Sequence, residues 1–251
     1  MATNLSESES IDSPLTWFHS EYYQRHNQKR LEHLASLDLP IAGSSVLEVG
    51  AGVGDHTGFF LERNCQVVSV EARSENLAIL RSRYPNLDVR RLDLDCPTIT
   101  FEQPFDIVYC YGLLYHLKEP ATAIAYMAQN CRGMLLLETC VSFGSGDHIN
   151  LCEEIDNPTQ SFSGQGCRPT RSWVYNQLKQ CFEYVYMPIT QPDHEDFPID
   201  WNFAPPEGVP LSRSIFIASC QKLENPLLVE KILMQQKRFG ISPAEIKSQR
   251  V

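Results

Sequence analysis

The stretch that most limits what this chain can fold into is residues 46–54, VLEVGAGVG. Val46, Leu47 and Val49 make the short apolar run that a strand buried on both faces requires, with one acid, Glu48, inside it. Gly50, Gly52 and Gly54 then alternate immediately beyond. Strand, tight glycine loop and helix, in that order, begin a nucleotide-binding α/β unit. The loop must turn sharply and let a ligand lie against bare backbone, which glycine permits.

The spacing of the glycines separates the ligands such a loop can hold. A dinucleotide fingerprint, G-x-G-x-x-G, does not fit, because the third glycine arrives one position early and Asp55 follows it. A carboxylate there would occupy the helix N-terminus, where a pyrophosphate would otherwise sit. No Gly-Lys-Ser/Thr follows, so a Walker loop is excluded as well. Read from Glu48, the pattern E-x-G-x-G-x-G resembles the first motif of class I S-adenosylmethionine (SAM) methyltransferases, whose ligand is cationic and carries no phosphate.

Beyond the loop the chain alternates strand and helix. Strands are predicted at 45–49, 66–71, 88–92, 105–110 and 134–138, with helices at 55–63, 74–83 and 119–130. Ser74 is a suitable N-cap for the second helix, which Tyr84-Pro85 ends. Repeated β-then-α units of this length imply a parallel sheet with helices on both faces. After Cys140 the register breaks. Residues 141–169 are rich in Gly, Ser, Asp and Pro, the composition of a functional loop or lid. A helix at 170–181 and a strand at 182–187 follow. Residues 188–212 then hold six prolines in a second excursion before a last strand at 212–220. The resemblance implies a Rossmann-like three-layer α/β/α sandwich with a mostly parallel seven-stranded sheet and an antiparallel last strand.

The domain organisation expected is a disordered lead-in at 1–16, a methyltransferase domain at 17–223 and a C-terminal helical tail at 224–251. Within the domain, residues 17–39 read as an amphipathic helix ended by Pro40 and Gly43. Helices placed before the first strand cover the site in methyltransferases of this kind, so Tyr23 and His26 are residues to watch in a lid.

Glu71 ends the second strand, 21 residues after Gly50. An acid at that separation is placed to accept both hydroxyls of a ribose. Asp93, followed by Leu94, lies just past the third strand. In the family an acid here accepts from the adenine amino group, while Asp95 reads as a turn cap. The segment FDIVYCYGLLYHLKEP, residues 105–120, resembles the family's fourth motif and puts Tyr111 and Gly112 beside the methionine portion of SAM. Glu48 would act through loop geometry or by contact with the SAM amino group. Gly50, Gly52 and Gly54 would form the cradle, and His56 and Thr57 would line the site from the next helix.

With these motifs in family order over residues 45–140, the chain is identified as a member of the class I SAM-dependent methyltransferases. The resemblance implies in-line methyl transfer from SAM to a small organic acceptor, an oxygen of a glycan-related or natural-product metabolite being favoured. A hydroxyl acceptor needs a base. His116 is the first candidate, His148 and Glu138 come next, and His194 follows within Asp193-His194-Glu195-Asp196. Phe143, Phe162, Trp173, Phe197, Trp201 and Phe203 in the two excursions suit an organic acceptor, and Arg168 and Arg171 would bind an anionic group on it or brace the late helix–strand unit. An RNA (tRNA) methyltransferase and a catalytically silent SAM-binding partner protein are the alternatives.

Composition narrows the partners. The formal net charge of −10 opposes a phosphate-tracking surface, so nucleic acid is not an expected partner. Arg73, Arg81, Arg83, Arg90 and Arg91 read as a solvated helix face. Nine scattered cysteines without a C-x-x-C read as small buried hydrophobes in a reducing compartment, hence a cytoplasmic location. No apolar run approaches the ~20 residues of a membrane span, and the polar, acidic N-terminus is not that of a signal or transit peptide. No metal site is assigned. Asp147, His148, Cys152, Glu153, Glu154 and the acids of 193–196 are potential ligands but read as solvated. No oligomeric state is assigned either.

Overall fold

The computed structural model describes residues 13–204 and 211–240. Its centre is an eight-stranded sheet. In chain order the strands are β1 (Ser45–Val49), β2 (Gln66–Glu71), β3 (Asp88–Arg91), β4 (Phe105–Tyr111), β5 (Cys131–Cys140), β8 (Tyr184–Pro188), β10 (Arg213–Ser219) and β11 (Leu228–Val229). Across the sheet they run β11-β8-β10-β5-β4-β1-β2-β3. The five strands from β3 to β5 pair in parallel, and β10 is antiparallel to both β5 and β8. This is the mostly parallel sheet with an antiparallel last main strand that the motifs imply. The eighth strand is the two-residue β11, antiparallel on the edge of β8.

Alternation along the central strands assigns their side chains to two layers. Leu47, Val49, Val108, Cys110, Leu135 and Leu137 enter one core with α5 (Pro120–Gln129) and α6 (Arg171–Cys181). Val46, Ile107, Tyr109, Met134 and Leu136 enter the other, with Leu34 of α2 (Glu21–Ser36) and Phe59 and Phe60 of α3 (Thr57–Leu61). The remaining helices are α1 (Pro14–Phe18) and α4 (Ser74–Arg83). Arg73, not Ser74, occupies the cap position of α4.

From β1 the chain goes outward through β2 and β3, then returns to add β4 and β5 on the other side of β1. The reversal leaves a crevice at the carboxyl ends of β1 and β4, where open α/β sheets bind ligands.

Three expectations are corrected. The helix expected over 17–39 is broken at His19–Ser20 into α1 and α2, and the disordered lead-in expected at 1–16 lies outside the described residues over 1–12 and reaches α1 beyond them. The excursion at 141–169 is not wholly irregular: β6 (Leu151–Glu153) and β7 (Gln165–Cys167) pair as an antiparallel hairpin. The helix expected over 224–251 is absent over 224–240, which carries β11 and β12 (Lys237–Arg238), the latter paired with β9 (Thr190–Gln191). Residues 241–251 lie outside the described part. Among the described residues no helix is long and apolar enough to cross a membrane.

Candidate active site

The crevice opens into a cavity of about 900 Å³, counting its mouth, at the carboxyl edge of the sheet. The glycine loop forms its floor, and its backbone is left-handed at Gly50, Gly52 and Gly54, with φ of 69°, 56° and 84°. A Cβ on Gly52 would come within 2.9 Å of the Phe18 ring, so α1 closes over bare loop backbone.

Glu71 is buried at one end of the cavity. Its Oε2 accepts from the Gly52 N–H at 2.9 Å, and its Oε1 accepts from Ala72 and Arg73 N–H at 3.0 and 2.9 Å. Burial raises its pKa, and the three backbone donors only partly offset that. Asp93 and the buried Leu94 form the adjoining wall; Asp93 Oδ1 accepts from the Asp95 N–H at 2.9 Å. Asp95 accepts from the Glu119 N–H at the start of α5, a capping contact.

At the other end α2 presents Tyr23, Asn27 and Arg30 to the cavity, facing His56, Tyr111 and Gly112. Arg30 lies against Gly112, where a Cβ would stand 3.0 Å from its Nη1. That Nη1 donates to Glu138 Oε2 at 2.8 Å, and Nη2 donates to Asn27 Oδ1. Glu138 Oε1 accepts from Arg213 Nη1 at 3.0 Å. Burial alone would neutralise Glu138, but the Arg213 and Arg30 guanidiniums outweigh it and hold the pKa below the usual range.

His116, in a short 3-10 turn after β4, borders the cavity. Its Nδ1 lies 2.5 Å from Glu154 Oε2, and Glu154 Oε1 also accepts from Arg168 at 3.1 Å. Burial pushes the imidazole pKa down, and Glu154 partly restores it. The ring is therefore neutral near pH 7, with its Nδ1 proton directed at the carboxylate. The first excursion reaches the cavity at 158–162, where it is tied down by Arg73, which donates to Ser161 O at 2.8 Å, and by Asn76, which donates to Pro158 O at 3.0 Å.

A family model described as a methyltransferase domain matches residues 46–133, the stretch that builds the loop, Glu71, Asp93 and His116. Residues 46–133 carry a methyltransferase domain. The ubiquinone biosynthesis O-methyltransferase of Albidiferax ferrireducens is 30% identical over 105 residues, covering 39% of this chain and 40% of that protein. The tRNA U34 carboxymethyltransferase of Pseudoalteromonas translucida is 28% identical over 116 residues, covering 44% and 36%. The chain thus spans about two fifths of the length of the curated relatives it matches. Among solved structures, the N-terminal domain of EvdMO1, in the presence of SAH and D-fucose, superposes with a TM-score of 0.60 at 18% identity, covering 80% of this chain and 85% of that one. CalS10 of Micromonospora echinaspora, an amino pentose methyltransferase with SAM bound, gives 0.53 at 16% identity, covering 88% and 100%. At these identities the likeness is one of fold.

The methyltransferase domain brings Gly50, Gly52, His56, Glu71, Asp93, Leu94, Tyr111, Gly112 and His116 to one cavity. It keeps five expected residues away from it. Gly54 faces α4, where a Cβ would strike Leu80. Glu48 and Thr57 satisfy each other: Thr57 Oγ1 donates to Glu48 Oε2 at 2.7 Å, and Ser69 Oγ donates to the same oxygen at 2.6 Å. Of the two roles open to Glu48, loop geometry is the one this burial allows. Glu138 is locked between two arginines and has no access to a substrate proton. His148 is exposed, outside the cavity lining.

Of the excursion aromatics only Phe162 lines the cavity. Trp173 and Phe197 are core, Phe143 stacks on Trp201 at 5.0 Å, and Phe203 is exposed. Arg168 braces Glu154, and Arg171 lies 4.0 Å over the Trp201 ring. Sequence reasoning missed Asn27, Arg30 and Glu154. The spacing of Tyr23, Asn27 and Arg30 at i, i+4 and i+7 marks one helix face, a signal masked because Arg30 is one of several basic residues, with Arg25 and Lys29, along the same helix. No spacing signal links Glu154 to a histidine 38 residues away.

Proposed function

We propose that this protein transfers a methyl group from SAM to an oxygen of a small organic acceptor, glycan-related or of natural-product type. The observation that carries the reading is the pairing, within one cavity, of a buried strand-end glutamate with a carboxylate-oriented histidine. The residues fit the nucleoside. Glu71 is fixed by three backbone donors and retains lone pairs for two ribose hydroxyls. Asp93 has a second oxygen for an adenine amino group, and Leu94 offers an apolar face. The left-handed glycine loop leaves room that a Cβ would fill. Arg30, whose buried Nε has no partner among the described residues, suits the carboxylate of the methionine portion.

SAM supplies, when bound, a methyl carbon made electrophilic by the adjoining sulfonium. The chain's part is alignment and proton removal. His116 Nε2 accepts the proton of the acceptor hydroxyl while Glu154 holds the proton on Nδ1 and stabilises the imidazolium that results. Tyr23, Phe18 and the 158–162 segment cover the cavity and exclude water. The relatives named as O-methyltransferases support oxygen as the methylated atom. A second reading, methylation of tRNA, draws support from the relative named for tRNA U34, and the net charge of −10 opposes it.

Mass spectrometry after incubation with isotopically labelled SAM and a metabolite extract should reveal a labelled small molecule. Calorimetry should show SAM binding that Glu71→Ala weakens by about tenfold or more, the scale of losing charge-assisted hydrogen bonds. Unchanged SAM affinity in that variant would remove the ribose assignment. Binding without any labelled product would leave the silent SAM-binding protein standing instead.

A further inference from the structure

Behind the Tyr23 wall of the cavity, α2 meets the excursion at 190–198 through a second polar cluster that the methyl-transfer reading does not use. His26, His194 and Asp196 are all buried, and one ligand atom from each lies within 4.8 Å of the others. The His26 and His194 rings face each other with centroids 4.8 Å apart. His26 Nε2, His194 Nε2 and Asp196 Oδ1 have no hydrogen-bond partner among the described residues. Three such orphans on residues of one cluster are costly, since each buried polar atom forfeits its water without replacement.

We propose that His26, His194 and Asp196 form a binding site for a divalent transition-metal ion that clamps α2 to the excursion at 190–198. Two imidazoles and one carboxylate are a donor set suited to zinc and its neighbours, and three protein ligands leave a position for water. The helix prepares the site: Tyr22 and His26 are i and i+4, so they share a face. The Tyr22 hydroxyl donates to Asp196 Oδ2 at 2.5 Å, which orients the carboxylate and leaves Oδ1 for the ion. Arg213 Nε stands 3.5 Å from the same Oδ2. That guanidinium also donates to Glu138 at 3.0 Å and to Tyr115 at 3.1 Å, so its charge is shared between two carboxylates.

The cluster is more open than a filled site. Tetrahedral ligands at 2.0–2.1 Å from zinc stand roughly 3.3 Å apart, so the side chains must draw inward by about 1 Å on binding. His194 must also present its Nε2 lone pair. Its Nδ1 now accepts from the Asp196 N–H at 3.3 Å, which places the ring proton on Nε2. Ligation moves that proton to Nδ1, which gives up the Asp196 N–H and donates instead to Glu195 Oε2, now 3.6 Å away. No net proton is released. Burial also keeps both imidazoles free of a second proton at neutral pH.

The test is to treat the full chain with a chelator, dialyse it, and titrate with Co2+ and then Zn2+. The expected result is one equivalent of Co2+ with visible d–d absorption and no thiolate charge-transfer band, displaced by Zn2+. His26→Gln and His194→Asn, each folded by circular dichroism, should lose it, and Zn2+ should raise the melting temperature of the unsubstituted protein alone. Absence of stoichiometric binding would overturn the proposal. So would binding that survives both substitutions, or a thiolate band pointing to the exposed Cys96, Cys181 or Cys220. If both variants fail to fold, the spectrum of the unsubstituted protein decides between the same outcomes.

Discussion

Glu48 shows how one buried acid shapes the loop without touching the cavity. Its Oε2 gathers the hydroxyls of Thr57 and Ser69, joining the start of α3 to β2 beneath the glycines. Burial pushes its pKa up to about 7, against the opposing pull of those two hydrogen bonds. Because the folded pKa lies above the unfolded one, the native state holds a proton that the unfolded chain has released. Stability therefore falls as pH rises from about 4.5 to about 7 and then levels off. Glu48→Gln keeps an acceptor oxygen and removes the charge, so it should stabilise the protein by about 3 kcal/mol at pH 8 and hardly at all at pH 4. Urea unfolding at the two pH values measures the difference, and an equal effect at both would mean that folding does not raise the pKa of this acid. Gly52→Ala tests the loop itself. At φ 56° a side chain is strained, and its Cβ would press 2.9 Å from Phe18. The variant should lose more than ~1 kcal/mol in equilibrium unfolding and bind SAM more weakly in calorimetry.

At the scale of elements, the hairpin of β6 and β7 delivers Glu154 to His116 and holds it with the Ser161 N–H at 2.8 Å and with Arg168. If the histidine is the base, Glu154→Gln should lower kcat by about 10–100-fold with little change in SAM affinity. Glu154 raises the His116 pKa against burial, so its removal lowers that pKa further, and the acidic limb of the pH–rate profile should move to lower pH. A profile that stays in place, in a variant folded by circular dichroism, would detach Glu154 from the chemistry. These elements also mark where sequence ceases to be legible. The strands from β1 to β4 lie within two residues of their expected bounds, because apolar runs such as VLEV and FDIVYC have one low-energy home, the middle of a sheet. Glu71 and Asp93 were readable for the same reason, each fixed by a strand end. Glu154 and Arg30 reach the site through tertiary contacts across 38 and 108 residues, which no local pattern encodes. The tail at 224–240 misled in the opposite way. Its apolar spacing suits a helix, but pairing of Leu228 and Val229 with β8 takes precedence.

For the molecule as a whole the question is what its charge admits. A net −10 is no bar to RNA if the basic side chains gather on one face, and Arg73, Arg81, Arg83, Arg90 and Arg91 cluster along α4 and β3. Their partners answer it. Arg83 donates to Asp55 at 2.6 Å, Arg90 to Asp88 at 2.7 Å, and Arg73 to Glu75 and Asp156 at 3.2 and 3.0 Å. Arg81 and Arg91 donate to backbone carbonyls of Val89 and Ala72. Three of the five cations are neutralised by carboxylates, and all five have directions fixed within the protein, so a phosphate backbone would have to displace existing contacts. Each phosphate contact made would appear as about 0.7–0.9 in the slope of log affinity against log salt. Fluorescence anisotropy with labelled tRNA should therefore show no saturable binding below ~100 μM at 0.15 M salt, weaker than the ordinary non-specific range of nucleic-acid binders. Micromolar binding with a steep salt slope, reduced by Arg90→Ala and Arg91→Ala, would instead establish the arginine face as a nucleic-acid surface and favour the tRNA reading over the small-molecule one.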